Sequence, residues 1–359
     1  MSRMHAGCFR RALLLLYALT MSSSSAALIA AGRCAAMKAA VTDQLRKDDS
    51  LDIPGILWLE HLNMIVGDRA MAEAFYCDFL GFVAEPGSSF HLNLGQQQLH
   101  LAAKPDSLQA NVLTGTVGLA VPSLDALRGR IDEAREALAE TCFEVADHGE
   151  SVAVVCPWGN SFACYDATVE PASATADGAT PLPKMVALQD GLDDSMSVRG
   201  GPGIRYTSFR VRPGTAPRVG RFYEHMFGCK VAHADDGKSA TVCVGPSVHL
   251  VFYEEEGRPL TDEEESLQAG PGGGVGLHIC VYIADFKATF ERMDALGLVW
   301  TNPRFKHLDT CDNYEEAVAS RQFRFKTIVD LETKEPLLEI EHEVRAQRHF
   351  QFFKRVKYP

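Results

Sequence analysis

One pattern recurs four times along this chain of 359 residues. A short alternating strand is followed by a helix-period segment and then by further strand-like runs, and a fourfold repeat of that order narrows the architecture before any single residue is weighed. Residues 59–82 read LEHLNMIVGDRAMAEAFYCDFLGF, and residues 204–229 read IRYTSFRVRPGTAPRVGRFYEHMFGC. Their helix-period parts end in Phe75-Tyr76-x-x-Phe79-Leu80-Gly81 and Phe222-Tyr223-x-x-Met226-Phe227-Gly228. Gly81 and Gly228 stand where a helix closes on a left-handed residue, a conformation that glycine adopts without steric penalty. These copies run on to Gln98-Leu99-His100-Leu101 and Ser247-Val248-His249-Leu250. Two more copies open at Thr116–Val121 and His278–Ile283, and close through 152–156 and 162–165 and through 323–329 and 337–341. The spacing predicts an α+β chain of four βαβββ modules.

The modules group into two domains, 53–170 and 203–345. Residues 171–202, rich in Ala, Pro, Gly, Asp and Ser, read as a linker. The run 270–274, Gly-Pro-Gly-Gly-Gly, precedes a strand and so lacks the helix N-terminus that a phosphate loop needs; it reads as a hinge. Residues 1–52 read as a targeting leader. The first acid is Asp43, and Arg3, Arg10 and Arg11 precede a short apolar run from Ala12 to Met21. That pattern fits a secretory signal or a plastid or mitochondrial transit peptide, with a soluble mature protein. The run is too short to span a membrane. Lys+Arg 35 against Asp+Glu 47 gives a net charge of −12, which argues against nucleic acid as partner. Ten cysteines without a CxxC pair exclude a disulfide scaffold and a zinc ribbon. Cys164, Cys243 and Cys280 fall in apolar strand-like runs and read as packing residues, not nucleophiles. The end of the chain, 346–359 with Arg345 before it, interleaves Arg348, Lys354, Arg355 and Lys357 with Phe350, Phe352 and Phe353. It is expected to pack along the protein's own acidic surface or to dock a partner.

Several of these residues carry a resemblance. They are Glu60-His61-Leu62-Asn63-Met64-Ile65-Val66 with Phe75-Tyr76-x-x-Phe79-Leu80-Gly81, the turn Pro157-Trp158-Gly159-Asn160, and His278 with Leu338-Glu339-Ile340-Glu341. Through them, residues 56–168 and 203–345 resemble the vicinal oxygen chelate superfamily of glyoxalase I, extradiol dioxygenases and bleomycin resistance proteins. The resemblance implies two glyoxalase-like domains, each a pair of modules forming a cup. A divalent metal would sit there on side chains from the first and last strands. Carried over residue by residue, the first-strand position falls on His61, Thr116, Tyr206 and His278, each followed five residues later by Val66, Val121, Val211 or Ile283. The last-strand position falls on His100, Ala163, His249 and Glu339.

Thr116 and Ala163 are not ordinary ligands, so 53–170 keeps only His61 and His100 and is expected to hold the degenerate site. Domain 203–345 keeps His249, His278 and Glu339, a set that suits zinc, iron, manganese, nickel or cobalt. Glu341 shares the strand face of Glu339 by the period of two and is expected as a base or a partner of the ligand; Tyr206 is expected to donate to substrate. Glu339, Glu341 and Tyr206 thus form the expected catalytic set. The implied function is a metal-dependent lyase or isomerase resembling lactoylglutathione lyase (glyoxalase I), acting on a small α-hydroxy or α-keto compound of hemithioacetal type. An extradiol-type iron(II) dioxygenase and a metal-free member that binds a small molecule or a protein remain alternatives.

Overall fold

A computed structural model describes residues 55–95, 97–103, 111–167, 202–245, 248–269 and 276–352. The expected leader, residues 171–201 of the expected linker and the chain beyond 352 lie outside the described residues. Among the described residues no helix is long and apolar enough to cross a membrane.

Module 1 comprises β1 (Ile56–Val66), a helix, β2 (Val83–Ala84), β3 (His91–Asn93) and β4 (Gln98–Ala103). Its helix starts as α1 (Arg69–Ala72), capped by the Asp68 carboxylate on the Met71 N–H at 2.8 Å, and continues as a π-helical segment, Glu73–Phe79. Module 2 comprises β5 (Thr116–Val121), α2 (Leu124–Arg128), α3 (Ile131–Ala137), β6 (Glu144–Asp147), β7 (Ser151–Val155) and β8 (Ser161–Asp166). Module 3 comprises β9 (Gly203–Arg210), α4 (Ala216–Phe227), β10 (Val231–His233), β11 (Ser239–Cys243) and β12 (His249–Tyr253). The helix α5 (Asp262–Ala269) connects it to module 4, which comprises β13 (His278–Ile283), α6 (Phe286–Asp294), β14 (Gln322–Val329) and β15 (Pro336–Ala346). Gly81 and Gly228 take φ of +82° and +73°, the helix ends that the sequence predicts.

Module 4 departs from the repeat. The strand expected after α6 is reduced to a single bridge, Val299 opposite Phe325. An insertion over 300–320, with α7 (Tyr314–Ser320) at its end, follows instead and carries Asn302, Arg304, Phe305 and Asp309.

The strands form two sheets, ordered β14-β15-β13-β1-β4-β3-β2 and β10-β11-β12-β9-β5-β8-β7-β6. The first therefore joins module 1 to module 4, and the second joins module 2 to module 3. Neither sheet is confined to 53–170 or to 203–345. At both seams, β1 with β13 and β5 with β9, the strands run antiparallel. The halves of the chain reappear in the apolar packing. Phe75 and Tyr76 of module 1 lie 5.7 and 5.9 Å, ring to ring, from Phe162 of module 2. Phe222 and Phe227 of module 3 lie 6.0 and 5.9 Å from Phe325 of module 4. Each buried aromatic of this kind stabilises the fold by about 1.5–3 kcal/mol. Hydrogen-bonded ladders thus cross between the halves, while these aromatic contacts stay within each half.

Candidate metal centre

The site begins with an irregularity in β1. Leu59 stands opposite Val281 and His61 opposite Cys280, so Glu60 is an extra residue in the ladder. A bulge of this kind interrupts strict alternation. A regular strand would send Glu60 and His61 to opposite faces. Instead their side chains meet, with His61 Nδ1 3.2 Å from Glu60 Oε2 and both residues buried. Module 3 repeats the device, since Gly118 faces Tyr206 and Leu119 faces Ile204, leaving Arg205 as the extra residue.

His278 opens β13 opposite Asn63 and points its Nε2 to within 3.2 Å of His61 Nε2. β15 runs parallel to β13 with Glu343 opposite Cys280, which brings Glu343 Oε2 to 3.6 Å from His278 Nε2. The ligand atoms of His61, His278 and Glu343 all lie within 4.8 Å of one another. Metal–nitrogen bonds of about 2.1 Å that meet near 100° would set two nitrogens about 3.2 Å apart, so the spacing fits a metal ion. His100 stacks on His61 at 3.7 Å and His91 on His100 at 3.6 Å, forming one wall. Glu60, His61 and Cys280 form a second compact group. Cys280 Sγ lies 3.4 Å from Glu60 Oε2, and burial pushes this thiol well up, which keeps it protonated and unreactive.

The charges beneath the site are paired but unequal. Arg324 reaches Glu341 Oε1 at 2.9 Å, Glu343 Oε2 at 2.8 Å and Asp309 Oδ2 at 3.2 Å. Arg345 donates to Glu343 Oε1 from Nε at 2.6 Å and to Glu60 Oε2 from Nη1. Three buried glutamates therefore face two buried arginines, with Asp309 beside them, and the excess is negative. Burial would push Glu343 up, but Arg324 and Arg345 outweigh it and hold its carboxyl well below the usual range. Burial likewise raises Glu60, and the hydrogen bond from His61 and the charge of Arg345 bring it below its ordinary value. Burial pushes His278 well down, with His61 adding to it, and burial lowers His61 against the pull of Glu60. Two neutral imidazoles and an ionised carboxylate are the protonation states that metal ligands need. The ionised Glu60 is acceptor only, so His61 Nδ1 carries the proton and Nε2 presents its lone pair.

Not every residue expected at the site reaches it. His61, His100 and His278 come together. Glu339 stands opposite Thr327, with its side chain 49% exposed and 3.2 Å from Lys326 Nζ. Glu341 is buried, and Asn302 Nδ2 and Arg324 occupy its oxygens at 2.8–2.9 Å; burial raises its carboxyl. Glu343 takes the place expected of Glu339 because β15 is eleven residues long and continues to Ala346. The sequence carries a signal for it: Glu339, Glu341, Glu343 and Arg345 alternate with Leu338, Ile340 and Val344. Arg345, expected to belong to a surface tail, is a buried member of that strand. His342 faces the core, with Nε2 2.7 Å from the Tyr223 hydroxyl.

His249 and Tyr206 lie in the other sheet, opposite each other across β12 and β9, and among the described residues neither belongs to a ligand group with His278. Tyr206 folds over Gly118, where a Cβ would come 2.0 Å from its Cε1. Its hydroxyl lies 3.4 Å from that of Tyr165, and Ala163 and Val251 complete a small apolar cluster. Thr116 and Ala163 share this sheet. Among the described residues the sheet of modules 2 and 3 holds no such ligand group, whereas the sequence reading expected the degenerate site in residues 53–170. The physical reason is the ladder, which pairs first-strand neighbours from opposite halves of the chain.

Four βαβββ-type units, paired by their first strands into two sheets, decide the fold. It is the paired-module fold of the vicinal oxygen chelate superfamily. No protein-family model and no curated protein matches the chain. Among solved structures, a glyoxalase I mutant of Zea mays is similar with 14% identity and a TM-score of 0.48, covering 84% of this chain and 96% of that one. The cppA protein of Streptococcus pneumoniae is similar with 11% identity and a TM-score of 0.41, covering 82% and 100%. Homoprotocatechuate 2,3-dioxygenase of Arthrobacter globiformis is similar with 16% identity and a TM-score of 0.26, covering 85% and 84%.

Proposed function

We propose that the cup between modules 1 and 4 holds a divalent metal on His61, His278 and Glu343, and that the protein is an iron(II)-dependent dioxygenase that opens the ring of an aromatic diol. The observation that carries this reading is the donor set. Two imidazoles and one carboxylate, grouped with open space beside them, suit iron(II) among the divalent ions. A metal held by these residues would supply Lewis acidity toward the substrate's oxygens. The remaining roles belong to the chain. Glu60 fixes the tautomer of His61. Arg345 ties Glu60 to Glu343, and Arg324 holds the other oxygen of Glu343, so the carboxylate is fixed while each oxygen keeps a lone pair. The Gln98 amide donates to Asn93 Oδ1 at 2.7 Å, which turns its Oε1 toward His100 Nε2 at 2.9 Å. His100 Nε2 therefore carries the proton.

A metal-dependent isomerase of the glyoxalase I type is the second reading, and the same three ligands would serve it. Metal analysis and oxygen uptake test the proposal together. Purified protein should carry about one metal ion per chain, and His278→Ala or Glu343→Ala should lose it, because three protein ligands are the usual minimum of such a site. Loaded with iron(II), the protein should consume oxygen with a catechol. Conversion of a hemithioacetal without oxygen uptake would favour the isomerase, and metal content unchanged in both variants would sink the site.

A further inference from the structure

The second cup, formed by modules 2 and 3, is not filled along its whole length. Tyr206 and Arg210 share one face of β9 by the period of two. The register carries this face to Thr116 on β5, Ser161 on β8 and Tyr253 on β12. Tyr206 and Tyr165 occupy one end of it. Toward the other end a cavity of about 300 Å³ remains, lined by Arg210, Thr116, Ser161 and Tyr253 and by Glu264 and Leu267 of α5. That volume lies at the small end of pockets that take an organic molecule.

The charges around the cavity are balanced. Arg210 is buried, with 2% of its side chain exposed. Its Nη1 donates to Glu255 Oε2 at 3.0 Å and its Nη2 to Glu264. Its Nε is buried without a hydrogen-bond partner among the described residues. Arg258, at the exposed rim, lies 3.7 and 3.5 Å from the same two glutamates. Two positive and two negative charges thus ring the cavity, and each has an opposite partner. An arriving anion would meet the glutamates and an arriving cation the arginines, so neither gains a net attraction. A carboxylate has about four acceptor positions and a guanidinium five N–H groups, more than these pairings use. The groups that suit such a lining are uncharged and both donate and accept. Hydroxyls do so, and Thr116 and Ser161 add two more hydroxyls to the wall.

We propose that this remnant of the second cup binds a small uncharged polyhydroxy compound of monosaccharide size, held by the ring of four charges and by the hydroxyls of Thr116 and Ser161. The ligand needs no metal and sits against the other sheet, so it goes beyond the function proposed for the first cup. A hydroxyl accepts from an arginine N–H and donates to a glutamate at once, and removing either partner leaves a buried polar group unpaired.

The probes are D-glucose and its charged counterparts D-glucuronate and protonated D-glucosamine, titrated into the full-length protein and followed by saturation-transfer NMR. Glucose should bind at least about fivefold more tightly than either charged probe. Thr116→Val combined with Ser161→Ala should weaken glucose about tenfold, through the loss of two hydrogen bonds. Arg258→Gln, a change at the rim, leaves one negative charge in excess and should shift the balance between the charged probes about fivefold toward glucosamine. Treatment with EDTA should change none of these affinities. The absence of saturable glucose binding would overturn the inference and leave a cavity of ordered water. So would undiminished glucose binding in the folded double variant, or an unchanged balance between the charged probes in Arg258→Gln. Glucose binding that disappears with EDTA would belong to the first cup and overturn it equally.

Discussion

Glu343 accepts a guanidinium on each oxygen and still faces His278, so one side chain belongs both to the site and to the buried charge network. At this scale the sequence is half transparent. His61 and His278 are legible because each precedes a Val or Ile by five residues in a strand-like run. Glu343 is less so. Alternation places Glu339, Glu341 and Glu343 on one face, but the choice among them depends on the register of β15 against β13, which no local pattern encodes. His342, on the opposite face, gives a prediction of its own. Its Nδ1 donates to the Ile340 carbonyl at 2.7 Å, its Nε2 accepts from Tyr223, and burial pushes it down to about 4. In the unfolded chain a histidine takes up its proton near about 6.5. Between these values the unfolded state binds one more proton than the native state, so stability falls as pH falls through that window. The loss amounts to about 3 kcal/mol for this residue, and the contribution is complete above about pH 6.5. Urea unfolding at pH 7 and pH 4.5 should show it. His342→Gln should be less stable at pH 7 and should have a shallower slope with pH; equal slopes in the two proteins would refute the assignment.

At the scale of elements, the repeat makes strands and helices readable, and the exceptions mark where function has been built. The bulge that turns Glu60 toward His61 has no sequence signature beyond two polar neighbours in an apolar strand. The missing strand of module 4 and the insertion that follows it hide in a stretch where periodicity simply lapses. In the second sheet the same bulge recurs without a ligand group among the described residues, and Tyr206 and Tyr165 fill the ground that ligands would need. Gly118 makes room for that ring. Gly118→Ala should therefore overpack the sheet and lower stability by about 1–3 kcal/mol. The same substitution in a Tyr206→Ala background should cost much less, since its clash partner is gone. A double-mutant cycle by urea denaturation measures the coupling; additive effects would show that the tyrosine does not occupy this position in solution.

The whole molecule is held by two sets of contacts that cut the chain differently. Ring contacts such as Phe75–Phe162 and Phe222–Phe325 join module 1 to 2 and module 3 to 4, the ladders join 1 to 4 and 2 to 3, and Trp58 stacked on Tyr282 reinforces the first of these seams. Each module has the same local pattern, so the sequence supports either set of partners. Only the assembled sheets show that His61 from one half meets His278 and Glu343 from the other. We therefore expect the halves to be inseparable as long as the sheets persist. A protease cut within 171–202, the stretch whose composition reads as a linker, should leave two fragments that co-elute as one species under native conditions, with any bound metal retained. They should part only in denaturant, because parting them breaks the antiparallel seams β1·β13 and β5·β9 and exposes unpaired strand edges along both. If the fragments separate in native buffer and each keeps its circular dichroism, the ladders between halves are not what holds the molecule together. If one separated fragment then keeps the metal, the site does not draw its ligands from both.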